Sequence, residues 1–289
     1  MTGASTGGRG DWPVVVIPVS PDEVALDALL GALETATPAG ARVWLADDAQ
    51  GGPRVRAVID AWRTTTRMQA EYSRRPYPLG ASAHLAAVLD ACGDEDVAVL
   101  AADAQPAPGW LDRMAACLDA APDIASVTPW CNVGETAGWP RMADTAPVPH
   151  DLASLAARLA SLGMAPQPLP APVEHAVLLR GTFRRASGGL DATTFQSAYA
   201  GLIDLGLRIA AFGGRHVLCT QAYVARSGEG RPADGDLDRL AARWPQWNPA
   251  LARFLMEDPL ADVRARIVMH MADDGSPVAQ PDLFGSLRA

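Results

Sequence analysis

Three acidic side chains in this chain stand where apolar runs end. Val43-Trp44-Leu45-Ala46 leads directly into Asp47-Asp48, and the run Val97 to Ala101 is followed by Ala102 and Asp103. A first run, Val14 to Val19, contains Pro18 and ends at Ser20. Carboxylates and hydroxyls so placed can accept hydrogen bonds from a ligand, and carboxylates can hold a hard dication. Other reactive types are dispersed. The five histidines show neither HxH nor HExxH spacing, and Cys92, Cys117, Cys131 and Cys219 lie far apart without a CxxC pair. That pattern suggests neither a zinc cage nor a disulfide framework, and the cysteines read as small buried apolar groups in a reducing compartment.

The elements that must carry these residues follow from periodicity. Val14 to Val19 is continuous and β-branched, the pattern of a strand buried on both faces. Ser20, Pro21 and Glu23 predict a capping-box helix start with Ser20 as N-cap, and Leu26, Leu29, Leu30 and Leu33 form one helical stripe. The alternation repeats: strand Val43 to Ala46, helix around Leu85 to Cys92, strand Val97 to Ala101, helix around Leu111 to Leu118, strand Ile124 to Thr128. Strands and helices alternating in this way imply a parallel sheet covered by helices, which binds ligands beyond the carboxyl ends of its strands. Ser20, Asp47, Asp48 and Asp103 all fall at such ends.

From residue 134 to 170 the composition shifts to Pro, Ala and polar residues, with one helix predicted over 152–162, an excursion long enough to cover a pocket. A strand at 176–179, a helix at 197–212 and a strand at 216–219 follow, and beyond residue 230 a Trp- and Pro-rich segment leads into helix. We therefore expect a flexible leader over 1–11, one domain over 12–230 and a helical C-terminal extension over 231–289. The chain has 289 residues and a formal net charge of -9, with only 24 scattered Lys and Arg, which argues against a nucleic-acid partner. It has no apolar run long enough to span a bilayer and no signal-peptide core, so the expected location is cytoplasmic, with a peripheral position at the inner membrane left open.

From about Val14 to Ser227 the order of pieces resembles the GT-A fold of inverting family 2 glycosyltransferases. Val16 to Val19 looks like the opening strand and Leu45 to Asp48 like the second, whose acidic end contacts the nucleoside. Leu79-Gly80-Ala81-Ser82-Ala83-His84 resembles the helix start that contains a glycine. Val99 to Asp103, followed by Pro108-Gly109-Trp110-Leu111, looks like the DxD strand and its sequel. Gly188-Gly189-Leu190-Asp191 resembles the acceptor-side "GGFD" motif, and Asp204 to Arg208 the end of the "EDxDLxxR" helix. The resemblance implies an α/β fold of GT-A type, a mixed and mostly parallel sheet flanked by helices, with a helical C-terminal tail.

It also implies a reaction, transfer of a sugar from a nucleoside diphosphate (UDP, GDP or dTDP) to an acceptor hydroxyl. Such chemistry needs orientation of the nucleoside, neutralisation of the leaving diphosphate by Mg or Mn, and a general base. On this reading Pro18, Ser20, Asp47, Asp48, Gly80, Ala101 and Asp103 border the donor, with Asp103 as the residual metal ligand. Departures fall in functional slots: Ala101 replaces the first DxD carboxylate, Gly201-Leu202 replaces the acidic pair, and Arg226 stands where the family often carries a ligating histidine. Arg226 is then a fixed cation able to grip the diphosphate without metal. Asp204, Asp191 and His175 are the remaining candidates for the base, with Glu174 a further acceptor-side carboxylate. Gly188, Gly189 and Trp139 lie on the acceptor side, Trp139 as a sugar-stacking ring. Two readings stay open: a transferase in surface-polysaccharide or small-molecule glycosylation, and a silent relative that binds a nucleotide or partner. Self-association as a homodimer fits either. A nucleotidyltransferase is disfavoured because no Gly-rich basic loop follows Val19.

Overall fold

The structure, a computed structural model, describes residues 12–272, so the expected leader over 1–11 and the last part of the C-terminal extension lie outside the described residues. In chain order it runs β1 (Val14–Pro18), α1 (Glu23–Ala36), β2 (Arg42–Asp47), α2 (Pro53–Thr65), β3 (Gln69–Arg74), α3 (Ala81–Ala91) and β4 (Val97–Leu100). Then come β5 (Ala104–Pro106), α4 (Trp110–Asp119), β6 (Ile124–Trp130), β7 (Val133–Gly134), β8 (Asp144–Thr145), α5 (Leu152–Ser161) and β9 (Gln167–Leu169). The chain continues with β10 (Ala176–Leu179), α6 (Gly181–Ala186), α7 (Ala198–Ala211), β11 (Arg215–Arg226), α8 (Asp236–Arg243), α9 (Trp247–Glu257) and α10 (Ala261–Ala272).

One sheet has the order β3-β2-β1-β4-β10-β6-β11-β5, with β9 also on β11. β3, β2, β1 and β4 are parallel, β10 is inserted antiparallel between β4 and β6, and β11 is parallel to β6. Alternation along β1 decides what covers each face. Val15 and Ile17 join a core with Leu26, Leu29 and Leu33 of α1, Ile59 of α2 and Trp110 and Met114 of α4. Val14 and Val16 join Leu85 and Leu89 of α3 with Leu202, Leu205 and Ile209 of α7 on the other face. This is the expected helix-flanked, mostly parallel sheet.

Two local expectations are corrected, and two elements, α2 and β3, stand where the sequence reading placed none. Helix α1 is capped by Asp22, whose carboxylate accepts from Val24 N and Ala25 N at 3.0 Å each, while Ser20 Oγ accepts from Asp22 N at 3.3 Å. A charged carboxylate at the positive end of a helix outcompetes a hydroxyl two residues earlier. Helix α2 has a weak sequence signal, with only Val55, Ile59 and Trp62 buried, and β3 is an edge strand without a buried residue. The last long strand runs to Arg226 rather than ending at Cys219, because a register shift between Cys219 and Tyr223 lets it continue past a local irregularity.

Candidate functional site

The carboxyl ends of β1, β2 and β4 open on the same edge of the sheet. Asp47, at the end of β2, is fully buried. Its Oδ1 accepts from Gln50 N at 2.8 Å and Gly51 N at 3.0 Å, and its Oδ2 from Tyr72 Oη at 2.8 Å and Arg74 Nη1 at 2.7 Å. Burial alone would raise this carboxyl; the donors from Gly51, Tyr72, Arg74 and Gln50 outweigh it and hold it below its ordinary value. Tyr72 is pushed up to about 12 by burial and by the Asp47 carboxylate. The expected nucleoside contact from Asp47 is therefore corrected: its oxygens are spent on the turn and edge strand that follow it.

Asp48 is buried as well: its Oδ1 accepts from Leu79 N at 2.7 Å and its Oδ2 from Gly80 N at 2.8 Å, one backbone donor each, and Arg75 Nε lies 3.8 Å from Oδ1. Gly80 adopts φ 102°, a conformation that L side chains rarely take, and this brings its N–H onto Asp48 while opening α3. His84, in the first turn of α3, is buried, and burial lowers its pKa. Pro18, at the end of β1, lies in register with Ala46, and Ser20 stays half-buried beyond it.

At the end of β4, Ala101 N donates to His175 O at 3.0 Å, joining this tip to the start of β10. Asp103 follows and forms a fork with Arg226: Nη2 to Oδ1 at 3.0 Å and Nε to Oδ2 at 3.3 Å. Gly228 N also donates to Asp103 Oδ2, at 2.6 Å. The remaining arm of the guanidinium, Nη1, reaches Glu174 Oε1 at 2.6 Å. Buried Asn132 fixes the backbone of Arg226 from both sides, accepting from its N–H at 2.9 Å and donating to its carbonyl at 3.0 Å. Burial would lower the guanidinium's pKa, but Asp103 and Glu174 more than offset it and raise the value. Gly230 passes so near that a Cβ there would meet Glu174 Oε1 at 1.2 Å, so only glycine admits this arrangement.

Arg226, expected to grip a diphosphate, is clasped by two carboxylates. Asp103 does not fit the expected role of metal ligand. Its Oδ2 already takes two donors and its Oδ1 one, Ala101 supplies no side-chain oxygen, and a fixed positive charge lies 3.0 Å away. Among the described residues no group of three or more His, Cys, Asp or Glu is arranged to hold a metal. The donor set does not suit a dication.

Beside this cluster lies a cavity of about 390 Å³ whose wall includes Glu135, Glu174, His175, Tyr199, Arg226 and Trp247. The excursion after residue 133 does form part of it, through Val133 to Thr136 and Ala143 to Thr145. His175 is 1% exposed, with Nε2 at 3.2 Å from Pro129 O and Nδ1 without a partner. Burial, then the Arg226 charge, lowers its pKa to about 3, so the ring is neutral.

The other acceptor-side candidates are held elsewhere. Buried Asp204 accepts from Arg208 Nε at 2.9 Å, Arg243 Nη1 at 3.0 Å and Trp244 Nε1 at 2.9 Å. Asp191 accepts from Arg243 Nη1 at 2.8 Å; burial would raise its carboxyl, but Thr193, Arg243 and Thr194 hold it well below the usual range. Both are held by Arg243 at the end of α8, and neither lines the cavity. Gly188 and Gly189 form a positive-φ turn, with Arg208 Nη2 donating to Gly189 O at 2.7 Å, and do not belong to the cavity wall. Trp139 packs edge-on to Tyr223, centroids 6.2 Å apart, within a core of α5, β11 and α10, and so is a packing ring. Leu202, in the slot of the missing acid, is 1% exposed core, and Gly201 faces Leu190 and Ser82.

Sequence reasoning missed Glu135, Tyr199, Glu229 and Trp247 as wall residues. The run Gly228-Glu229-Gly230 was the only available signal, two glycines flanking an acid just past a strand. Tyr199 and Trp247 sit in helices and read as core.

A family model described as glycosyl transferase family 2 matches residues 14–167. A comparison with curated proteins found no match. Among solved structures, the chain is similar to GalNAc-T7 with UDP, GalNAc and Mn2+, at 14% identity and TM-score 0.62, covering 90% of this chain and 55% of that one. It is also similar to the mannosyltransferase PcManGT from Pyrobaculum calidifontis in complex with GDP-Man and Mn2+, at 16% identity and TM-score 0.57, covering 92% and 77%. A third is S. aureus TarS 1-349 in complex with UDP-GlcNAc, at 14% identity and TM-score 0.51, covering 88% and 70%. At such identities the likeness is one of fold, and the chain spans just over half the length of GalNAc-T7.

Proposed function

The chain belongs to glycosyl transferase family 2, and from that premise we propose that it moves a sugar from a nucleoside-diphosphate donor to an acceptor hydroxyl in the cavity beside Arg226. One observation carries the reading. The tips of β1, β2 and β4, the start of β10 and the end of β11 gather at one edge, with Asp48 at the tip of β2 and Glu174 in the cavity wall. Asp48 orients the nucleoside through its ring N–H or ribose hydroxyls. Asp47 braces the turn that holds Asp48.

Arg226 supplies the positive charge at the diphosphate. Three of its N–H groups go to Asp103 and Glu174, and a guanidinium has five, so donors remain for phosphate oxygens. The acceptor O–H gives its proton to Glu174, the oxygen bonds to the anomeric carbon, and the nucleoside diphosphate leaves with the electron pair. Metal-independent donor binding follows from the donor set at Asp103. The test is calorimetric titration of UDP, GDP and dTDP, with Mn or with EDTA, followed by donor hydrolysis and transfer assays. One nucleotide should bind equally in Mn and EDTA; no binding of any of the three sinks the proposal. The buried Leu202 in the acid slot favours a second reading, a silent relative, which the same assays would reveal as binding without turnover.

A further inference from the structure

We infer that Asn132 is a positioning residue for the site: its side-chain amide holds the tip of β11, which carries Arg226, and the β7–β8 wall of the cavity at one fixed spacing. The purpose of that spacing, a guanidinium set against a diphosphate, rests on the transferase reading above. The need for a brace follows from the sheet. β11 runs beside β6 only as far as Tyr223 opposite Trp130, where β6 ends, while β11 continues to Arg226. On its other side β11 still has β5, with Arg226 opposite Ala104. The N–H and C=O of Arg226 are both met by Asn132, which follows β6 after one intervening residue. Oδ1 accepts from Arg226 N at 2.9 Å, and Nδ2 donates to Arg226 O at 3.0 Å. A side-chain amide here does what the peptide of a neighbouring strand would have done.

The amide has one more donor, which makes it a link rather than a cap. Nδ2 also donates to Ala146 O at 2.7 Å, and the Asn132 carbonyl accepts from Ala146 N at 2.9 Å. The residue just past β8 is thus held by side chain and backbone alike. β7 and β8 pair through Val133 with Thr145 and Gly134 with Asp144, and all four residues lie in the cavity wall with Glu135. Asn132 is 2% exposed, and both its N–H groups and its oxygen are engaged by backbone. Among side chains only Asn and Gln carry an acceptor and two donors on one planar amide, and Gln would set it one methylene further out. Asp103 and Glu174 fix the head of Arg226 while Asn132 fixes its backbone, so the N–H groups left over keep one direction. Binding and transfer are sensitive to small misplacements of such groups.

The experiment uses the full chain as wild type, Asn132→Ala, Asn132→Ser and Arg243→Ala, the last destabilised away from the cavity wall. Calorimetry compares UDP with UMP, GDP with GMP and dTDP with dTMP. For the base that binds, Asn132→Ala should lose about tenfold in diphosphate affinity and keep monophosphate affinity within about twofold. Arg243→Ala should keep both, because a loss of stability alone does not move this ratio. Asn132→Ser, whose hydroxyl can meet one of the three backbone groups, should fall between wild type and Asn132→Ala. Thermal melts check that each variant folds. Amide exchange in the wild type needs no variant: the N–H groups of Arg226 and Ala146 should both be protected. Unchanged diphosphate affinity in Asn132→Ala, an equal loss for mono- and diphosphate, or rapid exchange of either amide overturns the assignment. Any of these results in a chain that binds a nucleotide removes only the role of Asn132. A wild type that binds none of the six removes the transferase reading and this role with it.

Discussion

Removing the guanidinium of Arg226 is the most direct perturbation of the site. In Arg226→Ala, Asp103 and Glu174 face one another with no cation between them. The side chains are 10% exposed for Arg226, 19% for Asp103 and 16% for Glu174, so the cluster is mostly but not wholly removed from water. Deleting one member of a buried ion pair costs about 3–5 kcal/mol, chiefly because the partner is left buried and unpaired. The residual exposure places this case at the lower end, about 3 kcal/mol. For a chain of this size that corresponds to a fall in Tm of roughly 5 °C. Urea unfolding followed by circular dichroism measures the first quantity and a thermal melt the second. Arg226→Lys retains charge but not the planar fork, and should recover part of the loss.

The same variant tests whether the guanidinium occupies a cation's place. With Arg226 gone, two carboxylates become available to a dication. Arg226→Ala should then be stabilised by Mn, by about 1.4 kcal/mol at a concentration ten times its Kd, while the wild type shows no such gain. A loss below about 1 kcal/mol in Arg226→Ala would show that the cluster is loosely held, and equal Mn stabilisation of both proteins would refute the argument from the donor set.

Three further outcomes are expected. His175 and His216 are lowered from 6.5 to about 3 and about 4, in both cases first by burial, so both are neutral in the folded chain. Because the folded values are depressed, their contribution to stability is complete above about pH 6.5 and is lost as pH falls toward 3, at up to about 1.4 kcal/mol per pH unit for each. Urea midpoints that stay level from pH 7 to about pH 4.5 would contradict this. Arg243→Ala, which breaks contacts to Asp191, Asp204 and Thr194, should cost about 1–2 kcal/mol and speed amide exchange in α8 and α9; unchanged exchange would mean that these helices dock without it. Leu202→Asp, which restores an acid to the family's slot, should lose at least about 3 kcal/mol and gain no turnover, since position 202 is 1% exposed core; a stable, faster variant would place the slot in the site after all.

Much of the fold was readable from local pattern. Val14 to Val19, Val97 to Leu100 and Val177 to Leu179 are apolar on both faces because both faces of the sheet are covered, and that requirement is written in each short segment. Helix α2 and strand β3 were harder, because an element at the rim buries only one narrow stripe, or no residue fully, and leaves little periodic signal. The position of Asp48 at a strand tip was equally legible, since a carboxylate ending an apolar run marks where the buried strand stops.

What chain order could not supply was the pairing of charges. Asp47 and Asp48 are adjacent and chemically identical, yet one is consumed by Tyr72, Arg74 and its own turn while the other holds the Leu79–Gly80 backbone. Asp103, Glu174 and Arg226 converge from β4, β10 and β11, and Asp191 and Asp204 are claimed by Arg243 from the C-terminal helices. The residue types, the strand ends and the gaps in the acidic motifs were set by the sequence alone. Which partners each carboxylate takes was decided by tertiary structure, because ion pairs form between residues that folding alone makes neighbours.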